Sequence, residues 1–227
     1  MARIIQTPDS HGSLKNLQCL INERPSIITE EIKKISGQAI SIDWLSPLMD
    51  DAYAEYSDDD FIEKLRLSKT LQTPLINFWP KRGPNWDALG IFDTGVVLLE
   101  AKAHAGELAS SCKATSGDSL TLINNSFKKV KSELEVGESV DWLHPYYQYA
   151  NRIAHLYFLR VINKIDARLV FLYFLNDRSV AGIDEISEWK QKIREVKDTL
   201  GINHTHILDK YIYEIFINAK GKYGTRK

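Results

Sequence analysis

The chain has 227 residues, 44% of them hydrophobic and 26% charged, which excludes disordered, collagen-like and low-complexity classes. Lys plus Arg number 29 against 30 Asp plus Glu, a balance that excludes a histone-like coat on nucleic acid and leaves room for a local basic patch. The longest apolar run, Leu169 to Leu175, is far too short for a membrane span, the N-terminus lacks a secretory pattern, and Cys19 and Cys112 form no disulfide framework. These features predict a cytoplasmic protein with reduced thiols and no membrane partner.

The first 40 or so residues are weakly patterned, apart from a short helix over 25–32 with Ser26 or Thr29 as its cap. Residues 43–63 carry eight acids and no Lys or Arg. Ser46-Pro47 and Ser57-Asp58-Asp59-Asp60 read as helix starts, where carboxylates favour the positive end of the dipole. Glu55 and Glu63 lie further in and are weaker candidates for an active-site carboxylate.

Pro74 to Trp79 reads as a short strand stopped by Pro80. Trp86–Phe92 and Val96–Lys102 form a hairpin around Asp93-Thr94-Gly95, with Gly available for positive φ. A surface helix over 124–136 ends at Gly137, and a second helix runs from Tyr146 to Asn163 after Pro145. Arg168 to Leu175 is apolar throughout, as in a strand buried on both faces. An amphipathic helix over 186–200 ends at Gly201, Tyr211 to Ile217 is a last strand, and a basic tail starts at Lys220. The order predicts an α/β (α+β-like) fold with a mixed sheet flanked by helices.

Residues two apart in a strand share a face, so Glu100 and Lys102 project together where an apolar strand abruptly becomes charged. Without partners, burying even one neutral polar group costs roughly 2–7 kcal/mol. If Thr94-Gly95 is a two-residue loop, Asp87 lies across from Lys102 and Leu89 across from Glu100. A loop two residues longer or shorter keeps the same parity; a three-residue loop breaks it unless a bulge intervenes. Two carboxylates on neighbouring strands suit a hard cation such as Mg²⁺, and an adjacent ammonium can orient a water or neutralise a phosphorane.

Asp87, followed thirteen positions on by Glu100-Ala101-Lys102 on a hairpin, resembles the signature of the PD-(D/E)XK nuclease superfamily, also called restriction-endonuclease-like. Trp86 stands where the family name has Pro. The resemblance covers about residues 55–175 and implies a core of order αβββαβ. It makes the chain one domain, with 1–45 as an N-terminal elaboration and 176–227 as a helix–strand extension. It implies Asp87 and Glu100 as metal ligands, Lys102 as the catalytic lysine, and Mg²⁺, with Mn²⁺ as alternative, as cofactor. Glu63 or Glu55 would supply a further carboxylate, and Gln148, with Asn151 or Arg152 one turn on, the polar group of the helix after the third strand. DNA is the expected substrate, gripped at Lys81 and Arg82, with a homodimer or protein partner adding specificity. The competing expectation is a nuclease-fold binding module without turnover, which the acids of 43–63 and the neutral balance favour.

Other features point less clearly to chemistry. His104 continues the face of Lys102 but also suits a loop; His204 and His206 lack a third ligand for zinc; Ser110, Ser111 and Cys112 lack a base. The aromatics Trp79, Trp86, Trp142, Tyr146, Tyr147 and Tyr149 suit packing more often than base stacking.

Overall fold

The structure, a computed structural model, describes residues 3–8 and 11–219. In chain order come β1 (Arg3–Ile4), α1 (Gly12–Glu23), α2 (Pro25–Ser36), β2 (Asp43–Ser46), β3 (Glu55–Tyr56) and α3 (Asp58–Lys64). The hairpin β4 (Ala88–Phe92) and β5 (Gly95–Lys102) follows, then α4 (Gly117–Glu133), α5 (Tyr147–Tyr157), β6 (Asp166–Leu175), α6 (Ile186–Leu200) and β7 (Ile212–Asn218). Five strands make one mixed sheet in the order β2-β4-β5-β6-β7, antiparallel at the first two pairings and parallel at the last two. No helix among the described residues is long and apolar enough to cross a membrane.

Strand alternation decides which layer each side chain serves. On β5, Val96 and Leu98 join the core beneath α4, α5 and α6, while Val97, Leu99 and Ala101 join a second core with Leu17, Leu20 and Ile32 of α1 and α2. β6 alternates likewise, Leu169 and Phe171 against Val170 and Leu172, so it is buried on both faces, as its unbroken apolar run implies. α6 presents Trp189, Ile193, Val196 and Leu200, spaced by four, three and four, to the sheet, and Trp189 Nε1 donates to the Phe174 carbonyl. Gly201 takes a left-handed φ of 69° and ends that helix.

Several predicted elements differ. Pro74 to Trp79 is no strand: Leu75–Asn77 form one 3-10 turn, and the strand beside β4 is β2 instead. Ser46-Pro47 therefore ends a strand and starts no helix. The first 45 residues supply a full helical layer and this edge strand, and β7 completes the other side of the sheet. α2 begins at Pro25, whose missing N–H is harmless at a helix start, and neither Ser26 nor Thr29 caps it. α4 starts seven residues earlier than its apolar spacing suggests, because the Ser116 hydroxyl accepts from the Ser119 amide. The tail from Lys220 lies outside the described residues.

The hairpin loop is Asp93-Thr94, one residue earlier than expected, since Phe92 pairs with Gly95 and Ala88 with Leu99. This shift keeps the parity of the strands. Gly95 is needed for close approach and not for positive φ, because a Cβ there would overlap the Asp166 carbonyl oxygen on β6. Gly95→Ala is expected to cost about 1–3 kcal/mol through forced backbone movement, read as a lower urea midpoint at constant m.

Candidate active site

The functional side chains meet at the C-terminal end of β5. Glu100 and Lys102 leave the strand on its α5 side, and the Lys102 ammonium donates to Glu100 Oε1 and to Gln148 Oε1, the latter at 3.0 Å. Asp87 precedes β4, where no β4 backbone yet pairs with β5. Its Oδ2 takes the Ala101 amide at 2.7 Å, which fixes the carboxylate beside Glu100.

α5 brings the second half of the cluster. Its start is tied down by Ser110, whose hydroxyl accepts the Gln148 amide at 2.8 Å and whose own amide donates to Pro145. Gln148 and Arg152, four residues apart, share one helical face. Arg152 is 2% exposed; its Nε donates to Glu100 Oε2 at 2.7 Å, Nη1 to Asn151 Oδ1 at 3.0 Å and Nη2 to the Asn85 carbonyl at 2.7 Å. The guanidinium lies 4.6 Å from the Trp86 ring centre. Glu100, 1% exposed, thus has one oxygen on Lys102 and the other on Arg152.

A third carboxylate arrives by a long connection. Tyr56 of β3 bridges to Trp86, the Trp86 amide donating to the Tyr56 carbonyl at 2.9 Å, and this brings Glu55 to the same floor as Asp87. Glu55 and Asp87 face an open cleft of about 650 Å³, whose rim carries Lys81, Arg82 and Lys113. The loop bearing Lys81 and Arg82 is clamped by Asp58, which accepts the Arg82 and Gly83 amides at 2.9 and 2.8 Å.

Electrostatics divide the three acids. Burial pushes the Glu55 pKa up to about 7, with Glu100 adding to it, against a hydrogen bond from Gln6. Burial and then the charges of Glu100 and Glu55 hold Asp87 well above the usual carboxylate range. Burial would raise Glu100 too, but Arg152 and Lys102 outweigh it and keep Glu100 below its ordinary value. Asp87 and Glu55, on the cleft side of the floor, therefore hold their protons more readily than Glu100 does.

The structure gathers Asp87, Glu100, Lys102, Gln148, Asn151 and Arg152, and sets Lys81 and Arg82 on the rim. Glu63 is not among them: it is exposed on α3 and does not line the cleft, whereas Glu55 does. Arg152 and Asn151, expected to meet substrate, line the cleft with little exposed surface, and Arg152 donates to Glu100, Asn151 and the Asn85 carbonyl. Glu107 ties off the strand end by accepting the Ala103 amide and the Ser13 hydroxyl, with His104 in the same turn. His204 bonds the Leu134 carbonyl and His206 faces Asp209. Trp79, Trp86 and Trp142 are core side chains at 2%, 0% and 2% exposure and offer no face to a base.

Among the described residues no three His, Cys, Asp or Glu side chains stand close enough together to cage a metal ion. Mg²⁺ does not need a cage; it is usually held by one or two carboxylates, with waters and substrate phosphates completing the octahedron. Asp87 and Glu55 fit that description in donor type, and a cation bound there would displace the protons that burial favours on them. Glu100 fits it only if Arg152 or Lys102 gives way. Compared with known proteins, the chain matches no family model, no curated protein and no solved structure.

Proposed function

We propose that this protein is a metal-dependent nuclease hydrolysing phosphodiester bonds, with DNA as its substrate. The observation that carries the reading is the convergence of Glu55, Asp87 and Gln148 on a cleft rimmed by Lys81, Arg82 and Lys113, with Glu100 and Lys102 buried behind it and Lys102 bonded to Gln148. Acids at the floor and cations at the rim suit a phosphate backbone lowered onto a divalent ion. The order of strands in the main sheet supports the αβββαβ core of PD-(D/E)XK proteins when β2 is counted as the first strand and β3 and α3 as an insertion between it and β4.

Asp87 and Glu55 would hold Mg²⁺ or Mn²⁺, with Glu100 beneath them. Bound there, the ion supplies a Lewis acid to the scissile phosphate and acidifies a water. Lys102, steadied by Glu100 and Gln148, places a positive charge beside the phosphate. Arg152 keeps the Glu100 carboxylate ionised and aimed. Lys81, Arg82 and Lys113 take backbone phosphates, and a second copy or a partner protein is needed to cut both strands of a duplex at one place.

Cleavage of single- and double-stranded DNA and RNA, with Mg²⁺ or Mn²⁺ against EDTA, tests this. Lys102→Met and Asp87→Asn are each expected to lower the rate roughly 10²–10³-fold, the loss typical for a group that stabilises transition-state charge. Cleavage that persists in both variants removes the site, and no cleavage of any polymer removes the activity. A binding module without turnover is the second reading, favoured by the two cations that occupy both Glu100 oxygens. It requires oligonucleotide binding that shows no metal-dependent product.

A further inference from the structure

On the face of the sheet that meets α5, Lys102 and Tyr173 are register partners on adjacent strands, as are Glu100 and Phe171. α5 lays Tyr149 on Phe171, with ring centres 4.2 Å apart and planes 2° from parallel. Against these side chains lies a small cavity of about 10 Å³, bordered by Glu100, Lys102, Gln148, Tyr149 and Tyr173. That is the room needed by one water molecule.

The hydroxyls of Tyr149 and Tyr173 are both buried, and neither has a hydrogen-bond partner among the described residues. A buried polar atom without a partner carries a desolvation cost, and most such groups in folded proteins are satisfied by protein or by ordered water. Burial above all, with Glu214 nearby, keeps both phenols protonated, so each presents an O–H donor. Lys102 has three N–H donors, of which Glu100 and Gln148 take one each.

We propose that the cavity holds an ordered water that accepts from Lys102 and from the Tyr173 hydroxyl, so that Tyr173, backed by Tyr149, is a positioning residue for the Lys102 ammonium. The water site stands on the cavity and the two hydroxyls; the positioning role rests on the nuclease reading of Lys102. With three partners the ammonium is fixed in direction and held beside the cleft floor, where a mobile lysine would sample other rotamers. The alternative, a dry cavity with two unsatisfied hydroxyls, has the opposite signature, because deleting an unsatisfied hydroxyl relieves a cost.

High-resolution crystal structures, thermal unfolding and cleavage kinetics of the wild type, Tyr173→Phe and Tyr149→Phe test this. The wild type is expected to show ordered density within hydrogen-bond distance of Tyr173 Oη and Lys102 Nζ, lost in Tyr173→Phe. Tm is expected to fall by roughly 2–4 °C in that variant. kcat is expected to fall roughly 10-fold at unchanged KM. Tyr149→Phe is expected to shift Tm in the same direction. A dry cavity, with Tm unchanged or raised in Tyr173→Phe, overturns the inference whatever the activity. A hydrated cavity with unchanged kcat overturns the positioning role. If the wild type cleaves nothing, the nuclease reading and the positioning role fall together, while density and Tm still decide the water site.

Discussion

Arg152→Ala is expected to destabilise the protein by about 3–5 kcal/mol, because it leaves a buried carboxylate short of its main counter-charge. Glu100 is 1% exposed and cannot turn to solvent, and Lys102 engages only one of its oxygens. The same deletion orphans the Asn85 carbonyl and removes the cation from the face of Trp86, itself fully buried. For a chain of this size the loss corresponds to a Tm lower by roughly 6–20 °C. Lys at this position is a poor substitute, since a single ammonium cannot reach Glu100, Asn85 and Asn151 together as the guanidinium does. Removing both charges has a different expected result. Arg152→Met combined with Glu100→Gln is expected to recover only part of the stability, because the ion pair is removed as a unit but the buried Lys102 ammonium loses its carboxylate. Urea unfolding of the two single variants and the double variant gives the coupling energy directly. An Arg152→Ala protein within about 1 kcal/mol of the wild type contradicts the clasp, and would mean that water reaches Glu100.

What the sequence makes legible here is what depends on local periodicity. The charged end of β5 reads correctly because strand parity is insensitive to moving the hairpin loop by one residue in each strand. Asp87 is therefore on the face of Glu100 and Lys102 whether the loop is Thr94-Gly95 or, as found, Asp93-Thr94. α6 and β6 also read correctly, since each shows one unbroken pattern over its whole length. Pro74 to Trp79 misleads because a 3-10 turn can bury Leu75, Phe78 and Trp79 as fully as a strand can. β2 escapes notice because four residues with a bulge are too few to establish alternation. The place of Glu55 was beyond any local reading: it depends on the bridge between Tyr56 and Trp86, thirty residues apart. The same holds for Arg152, whose bond to Glu100 is a property of how α5 lies across the sheet.

Beneath the cleft lies His155, and its titration is expected to set much of the acid sensitivity of the fold. The ring is fully buried; Nδ1 sits 2.8 Å from the Asn151 carbonyl, which can only accept, so Nδ1 carries the proton. Nε2 has no partner among the described residues and is enclosed by Trp79, Trp86 and Phe61, with ring centres 4.9, 5.9 and 6.1 Å away. Burial, reinforced by Arg152 and only partly offset by the Asn151 hydrogen bond, lowers its pKa to about 3. The unfolded chain, with an ordinary histidine near 6.5, binds the proton first as pH falls. Stability is therefore complete above about pH 6.5 and is lost as pH drops toward 3, by about 3 kcal/mol at pH 4.5 and about 5 kcal/mol in all. Glu55, between about 4.5 and 7, and Asp87 work in the opposite direction, since their folded pKa values are raised, so the raw stability curve mixes these acids with His155. The difference between wild type and His155→Phe removes that background, because Glu55 and Asp87 are common to both. The variant is expected to lose the His155 component and to gain on the wild type steadily below about pH 6.5. Urea midpoints measured in parallel from neutral pH to about 4.5 test this; two curves that stay parallel would mean that the imidazole finds its proton inside the fold, and that the aromatic wall around Nε2 opens to admit it.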